Sequence, residues 1–215
     1  RAGRIPAFIV MEVLERAQEL AAAGREIIHL EVGEPDFATP EVMTKAAAAA
    51  MARGETHYTH SMGIMELRLA IAENYRKRYG VEVDPARILV TAGTSAAMLL
   101  LFSALLEDGQ RVILSDPHYA CYDNFIEFAG GVPIRIPVLA REGFQFRSDE
   151  IRAAMDANTR AIFINSPANP TGQVMPPDLL AAVAEMAPGN PGGPYVISDE
   201  IYHGLVYEGQ EHSIL

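Results

Sequence analysis

The pattern of apolar and polar residues changes near residue 87, where helical stretches give way to short apolar runs. The alanine-rich stretch after Thr39 favours a helix, with Thr39 as its N-cap and Pro40 as its first residue. Gly24 and Gly80 mark the ends of two further helices, because glycine is favoured just past a helix C-terminus. The predicted helices are Ala7–Ala23, Pro40–Arg53 and Ile64–Tyr79.

After residue 87, short apolar runs rich in β-branched residues alternate with helical stretches. The predicted strands are Ile88–Thr91, Arg111–Ser115, Pro133–Val138, Ala161–Asn165 and Tyr195–Ser198. The helices predicted between them are Ser95–Leu106, Tyr119–Ala129, Ser148–Met155 and Pro177–Met186, and Pro188–Pro194 is a predicted loop. Apolar strands separated by helices are typical of a sheet covered on both faces. The sequence therefore predicts an α/β fold with a mostly parallel sheet and right-handed crossovers.

Short polar segments follow four of the predicted strands. They are Ala92–Ser95, Asp116–Tyr119, Ser166–Asn169 and Asp199–Tyr202. In open parallel sheets, ligands bind beyond the carboxyl ends of the strands. We therefore expect these four segments to converge on one crevice.

The composition and net charge of the chain argue against some classes of binding partner. The chain has 215 residues, of which 49% are hydrophobic, and its net charge is −11. This acidity argues against a nucleic acid or an anionic membrane, since both favour clustered Lys and Arg. Cys121 is the only cysteine, which suits a cytoplasmic protein. Arg1–Ile5 does not resemble a signal peptide, and Ala96–Leu106 is too short to span a bilayer.

Each candidate site residue also has a plain structural interpretation. Thr94 and Ser95 can cap a helix or hold a phosphate at its N-terminus. Asn169 can belong to a Pro–Gly turn or present an amide to a ligand. Tyr119 can pack in the core or offer a ring for stacking. His57 and His60 have the chemistry of metal ligands, but the sequence contains no HExxH or CxxC motif, so no metal site is expected.

These segments form a series of motifs along the chain. In order they are Gly33–Phe37, Tyr58 ahead of Gly63 and Glu66–Arg68, Gly93–Ser95, Pro117–Tyr119, Asn169–Gly172 and Ser198–Tyr202. The chain resembles the fold type I pyridoxal-phosphate-dependent aminotransferases, which include aspartate aminotransferase. The resemblance covers almost the whole chain. It implies a three-layer large domain with a mostly parallel sheet, incomplete here, and pyridoxal 5'-phosphate as the cofactor.

The resemblance implies roles around the cofactor ring. Tyr119 would stack on the pyridine ring, and Asn169 and Tyr202 would hydrogen-bond its phenolic oxygen. Asp199 would pair with the ring nitrogen. A carboxylate there keeps the ring protonated, so that the ring can accept electrons from the substrate.

The resemblance also implies contacts to the phosphate, the substrate and a second subunit. Gly93, Thr94 and Ser95 would bind the cofactor phosphate. Gly33 would lie near the substrate carboxylate. Tyr58 would reach the phosphate of the neighbouring subunit, as expected for a homodimer with shared active sites.

The family's Schiff-base lysine is expected beyond Leu215, because Lys45 and Lys77 are the only lysines and both precede the phosphate loop. No catalytic residue is therefore assigned within this chain, which alone is expected to be inactive. The family's C-terminal arginine, which binds the substrate carboxylate, is also expected later. Residues 1–30 would belong to the small domain, and residues 31–215 would form the front part of the large domain.

The expected activity of the intact protein is transfer of an amino group from an amino acid to a 2-oxo acid. Two alternatives remain open from the sequence. One is a carbon–sulfur β-lyase with the same cofactor. The other is a non-catalytic module with an aminotransferase-like fold.

Overall fold

The computed structural model describes residues 8–187 and 193–215, which contain seven α-helices and four strands. The helices are α1 Ile9–Ala22, α2 Glu41–Ala52, α3 Met65–Tyr79, α4 Gly93–Leu105, α5 Cys121–Phe128, α6 Ser148–Ala154 and α7 Pro177–Ala184. The strands are β1 Arg111–Asp116, β2 Val132–Pro137, β3 Thr159–Asn165 and β4 Tyr195–Asp199. Short 3-10 helices span Pro85–Arg87 and Ala140–Glu142.

The predicted helices are confirmed, with small shifts at their ends. Gly80 follows α3 in the left-handed conformation (φ 73°), as a C-terminal glycine should. Thr39 is not the N-cap of α2, because Pro40 takes that position with extended backbone and the helix begins at Glu41. Ala7, at the start of the first predicted helix, and residues 188–192 of the predicted loop lie outside the described residues.

The four strands form one parallel sheet in the order β2-β1-β3-β4. The prediction of a strand at Ile88–Thr91 is wrong. In this stretch Val90 donates its N–H to the Met62 carbonyl (3.0 Å), but the segment joins no ladder of the described sheet. An apolar β-branched run becomes a strand only where a neighbouring strand pairs with it.

Successive residues of the central strands point to opposite faces, and helices cover both faces. Ile113 of β1 and Ile162 of β3 pack in a core with residues of α6 and α7. Val112 of β1 and Phe163 of β3 pack in a second core with residues of α4 and α5. These two cores make three layers, which confirms the predicted α/β architecture.

The segments before residue 87 bury little apolar surface. Helix α2 has no buried residue, and Val42, Met43 and Met51 are each at least 60% exposed. Arg68 of α3 is buried, and its guanidinium donates twice to the Pro85 carbonyl (2.8 and 2.5 Å). Among the described residues, no helix has both the length and the apolar character that crossing a membrane requires.

Candidate active site

A cavity of about 660 Å³ opens at the carboxyl ends of the strands. Its walls come from the start of α1, residues 31–33, Thr94 at the start of α4, the turn into α5, the loop after β3 and the end of β4. Strand order brings these segments together, because parallel strands all end at one edge of the sheet. The predicted convergence on one crevice is confirmed.

Most of the predicted site residues lie around this cavity. Its lining includes Gly33, Thr94, Tyr119, Asn169, Asp199 and Tyr202. Gly93 and Ser95 flank Thr94 but do not line the cavity. Tyr58 lies outside it and is fully exposed.

Asp199, the last residue of β4, is buried with 8% of its surface exposed. Its Oδ2 accepts a hydrogen bond from the Tyr122 hydroxyl (2.7 Å), and its Oδ1 accepts one from the Ile201 N–H (3.1 Å). Burial, and then the charge of Asp199, raise the pKa of Tyr122, so its phenol keeps the proton that it donates. The carboxylate is thus held by a donor on each oxygen.

Tyr119 lies edge-on to two other rings. Its centroid is 6.1 Å from that of Phe8 and 5.4 Å from that of Tyr122, with interplanar angles of 80° and 78°. A hydrogen bond with Cys121, followed by burial, raises the pKa of Tyr119 to about 12. The ring is therefore a neutral aromatic surface beside the cavity.

Asn169 and Tyr202 present polar groups next to each other. The Asn169 Nδ2 lies 3.4 Å from the Tyr202 hydroxyl, to which it donates. The Asn169 backbone N–H donates to Oδ1 of Asn165 (2.6 Å). An amide and a phenol this close can both hydrogen-bond one ligand oxygen.

The predicted phosphate-binding residues Gly93, Thr94 and Ser95 form the first turn of α4, because this helix begins two residues earlier than predicted. Gly93 begins the helix with a φ of 80°, which favours glycine, and the N-cap Ala92 offers no side-chain hydrogen bond. The Gly93 N–H already donates to the Thr91 carbonyl (2.9 Å). Neither Thr94 nor Ser95 caps the helix, so their hydroxyls and backbone N–H groups, in the first turn of α4, can face an anion.

Two residues to which the sequence assigned no role, Tyr122 and His118, also shape the site. Tyr122 lies three positions after Tyr119, and this spacing, which places two residues of a helix on the same side, is visible in the sequence. The His118 ring stacks on Tyr122 (6.1 Å, 15°), and its Nδ1 lies 2.7 Å from the Ser115 carbonyl. Tyr122 contacts the carboxylate of Asp199, 77 residues later in the chain. This contact depends on the order of the strands in the sheet, which the local sequence pattern does not reveal.

Neither lysine approaches the cavity. Lys45 pairs with Glu41 (2.8 Å) and Lys77 with Glu73 (3.3 Å), and both side chains are about 70% exposed. Each pair follows the i,i+4 spacing of a solvated helix face. The described residues near the cavity therefore supply binding groups but no amine.

Comparisons with known proteins agree with these features. The sequence profile of the family "Aminotransferase class I and II" matches residues 25–214. The chain is 44% identical over 198 residues to the probable aspartate/prephenate aminotransferase of Thermus aquaticus, covering 92% of this chain and 51% of that protein. It is 39% identical over 208 residues to the (5-formylfuran-3-yl)methyl phosphate transaminase of Methanocaldococcus jannaschii, covering 97% and 52%.

The fold agrees equally well with solved structures. The aspartate aminotransferase of Thermus thermophilus with maleate superposes with a TM-score of 0.95 at 39% identity, over 99% of this chain and 55% of that one. The chain thus spans about half the length of the relatives that it matches. The resemblance inferred from the motifs is confirmed, and the chain belongs to the aminotransferase class I and II family.

Proposed function

We propose that the protein containing this chain is a pyridoxal-phosphate-dependent aminotransferase that moves an amino group from an amino acid to a 2-oxo acid. The single observation that carries this proposal is the grouping of Thr94, Tyr119, Asn169, Asp199 and Tyr202 around one cavity. Family membership and the names of the relatives support it.

The chemistry of the cavity fits this cofactor. An ionised phosphate suits the N–H groups of Thr94 and Ser95 in the first turn of α4, because a helix N-terminus favours negative charge. A buried carboxylate suits a ring nitrogen that carries a proton, and Asp199 is such a group. When bound, the cofactor acts as an electron sink for the substrate carbon.

Each residue then has a defined task. Asp199 would hold a proton on the ring nitrogen, with Tyr122 and the Ile201 N–H fixing its two oxygens. Asn169 and Tyr202 would hydrogen-bond the ring oxygen from adjacent positions.

Tyr119 would stack on the ring and exclude water from one side. Gly93, Thr94 and Ser95 would hold the phosphate, and Gly33 would lie near the substrate carboxylate.

The substrate is proposed at the level of its class. Relatives of similar identity are named for aspartate, for valine and pyruvate, and for a furan phosphate. We expect the lysine that bonds the cofactor to come from another part of the protein, since Lys45 and Lys77 are largely exposed to solvent and do not line the cavity.

We further propose a homodimer with shared active sites. Tyr58 is fully exposed, and helix α2 exposes Val42, Met43 and Met51. Large apolar side chains left exposed along one helix fit a surface that another chain covers. We also propose that residues 1–30 belong to a small domain and residues 31–215 to the large one.

The test is amino-group transfer by the intact protein. With pyridoxal phosphate, an amino acid and a 2-oxo acid, the wild type should produce the new amino acid. Asp199→Ala should lower this rate on the order of 100-fold or more, as expected for loss of a group that stabilises charge in the reaction. Asp149→Ala, which removes an exposed carboxylate paired with Arg147, is the matched control and should leave the rate unchanged. Faster release of 2-oxo acid from cystathionine without an acceptor would instead identify a carbon–sulfur lyase.

A further inference from the structure

Asn165 is the last residue of β3 and lies directly opposite Asp199 in the parallel pairing of β3 with β4. We propose that Asn165 is a positioning residue that holds Asp199 and Asn169 in their places around the cofactor ring. This inference rests on the proposed function, because it assigns those two residues to the ring. Asn165 does not line the cavity, so it acts through its neighbours.

The Asn165 amide uses both of its ends. Its Nδ2 donates to the backbone carbonyl of Asp199 (2.9 Å), and its Oδ1 accepts from the backbone N–H of Asn169 (2.6 Å). The chemistry of these partners fixes the orientation of the amide, because a carbonyl only accepts and an N–H only donates. One side chain therefore ties the end of β4 to the loop that follows β3.

These bonds extend to the rest of the ring contacts. Asn169 donates from Nδ2 to the Tyr202 hydroxyl (3.4 Å), so its backbone position also affects Tyr202. The Asp199 carbonyl accepts a second bond, from the Ser166 N–H (3.1 Å). Replacing Asn165 leaves that backbone bond in place, whereas the Asn169 N–H loses the acceptor that Asn165 supplies. The larger displacement is thus expected at Asn169.

A purely structural asparagine would stabilise the loop without affecting the ring contacts. A positioning residue does more, since binding groups must be held within about half an ångström of their working geometry. Loss of the clamp should therefore weaken cofactor binding beyond any loss of stability. We expect this loss of affinity to be about tenfold, which is the size of one good neutral hydrogen bond.

Gln145 offers a matched control. Its amide donates to the Val174 carbonyl (3.1 Å), and it borders the same small cavity as Asn165. It does not line the large cavity. Gln145→Ala therefore removes a similar amide–carbonyl bond in the same region without releasing a ring contact.

The experiment uses the intact protein and its variants Asn165→Ala and Gln145→Ala. Three quantities are measured: the equilibrium Kd for pyridoxal phosphate, the absorption maximum of the bound cofactor, and the thermal unfolding midpoint of the cofactor-free protein. Both variants should lower the midpoint. Only Asn165→Ala should raise the Kd, by about tenfold, and shift the absorption maximum.

A second variant keeps the test decisive if Asn165→Ala does not fold. Asn165→Asp keeps the size of the side chain and an acceptor for Asn169, but it places an acceptor against the Asp199 carbonyl. It should also raise the Kd. If the wild type binds pyridoxal phosphate and the folded Asn165 variants bind it as tightly as Gln145→Ala does, the positioning role is overturned and the proposed function stands. If the wild type itself does not bind pyridoxal phosphate, the proposed function fails and this inference fails with it.

Discussion

Replacement of Tyr122 by Phe isolates one hydrogen bond of the site. The Tyr122 hydroxyl donates to Oδ2 of Asp199 at 2.7 Å, and the carboxylate is 8% exposed. Tyr122→Phe keeps the ring, whose centroid lies 4.4 Å from that of Phe163. The substitution therefore removes a charge-assisted bond and leaves the apolar packing in place.

The expected cost follows from the charge and burial of the acceptor. A hydrogen bond to a charged group contributes about 1.5–3 kcal/mol, more than a neutral bond. The Ile201 N–H still donates to the other oxygen, so Asp199 keeps one of its two donors. We expect the free energy of unfolding of the cofactor-free protein to fall by about 2 kcal/mol.

The assay is urea unfolding of the intact protein without cofactor, analysed by linear extrapolation. Tyr207→Phe is the control, because Tyr207 is 98% exposed and its hydroxyl is solvated. A double-mutant cycle with Asp199→Asn then separates the bond from other effects of each change. The coupling energy should be about 1 kcal/mol or more, since the bond to an uncharged amide is weaker.

The decisive comparison is between the two tyrosines. If Tyr122→Phe and Tyr207→Phe change the free energy of unfolding equally, Tyr122 does not stabilise the carboxylate. A coupling energy near zero in the cycle would refute the reasoning even if Tyr122→Phe is destabilising, because the cost would then not come from the bond between Tyr122 and Asp199.

Two further predictions concern the surroundings of the site. Burial alone would raise the pKa of Asp123, but hydrogen bonds from His118 and Arg135 outweigh it and hold the pKa below its ordinary value. These bonds to Asp123 therefore contribute stability that is fully present above the ordinary carboxyl pKa and is lost as the pH falls through the lowered pKa. The free energy of unfolding, measured against pH, should therefore fall less steeply at acid pH in Asp123→Asn than in the wild type. Gly63 has a φ of 95°, and a Cβ there would lie 2.7 Å from side-chain atoms of Val90, so Gly63→Ala should destabilise the protein by more than about 1 kcal/mol in urea unfolding. Val90→Ala in that background removes the Val90 methyl groups but keeps its Cβ, which also lies 2.7 Å away, so it should restore only part of the loss. Full restoration would contradict the argument.

Local sequence signals predicted the helices and four of the strands because those signals act within a few residues. Gly80 ends α3 by its own backbone preference, wherever the helix packs. Ile88–Thr91 has the same apolar, β-branched character as the true strands, yet it pairs with none of them in the described sheet. Whether a segment forms a strand depends on its neighbour in the sheet as well as on its own residues. The composition of Ile88–Thr91 alone could therefore not show that it stays unpaired in the described sheet.

The grouping of Tyr119, Asn169 and Asp199 could be predicted because each lies at or just after the end of a strand, and parallel strands end at one edge. Their supporting residues were missed because they belong to no motif. Tyr122 reaches Asp199 across 77 residues, and Asn165 reaches it across 34. Both contacts depend on which strand lies beside which.

That dependence also shows how such support can be found once the strand order is known. Asn165 and Asp199 are register partners on adjacent strands, so a polar side chain at the end of β3 has the end of β4 within reach. Tyr122 lies three residues after Tyr119, in the first turn of α5, and this helix packs over the same face of the sheet as Phe163. In a parallel sheet, positioning residues should therefore be sought at two places. One is the position paired with the functional end of a neighbouring strand, and the other is the first turn of a helix that follows a functional residue. The Asn165 and Tyr122 substitutions test that rule from both sides of Asp199.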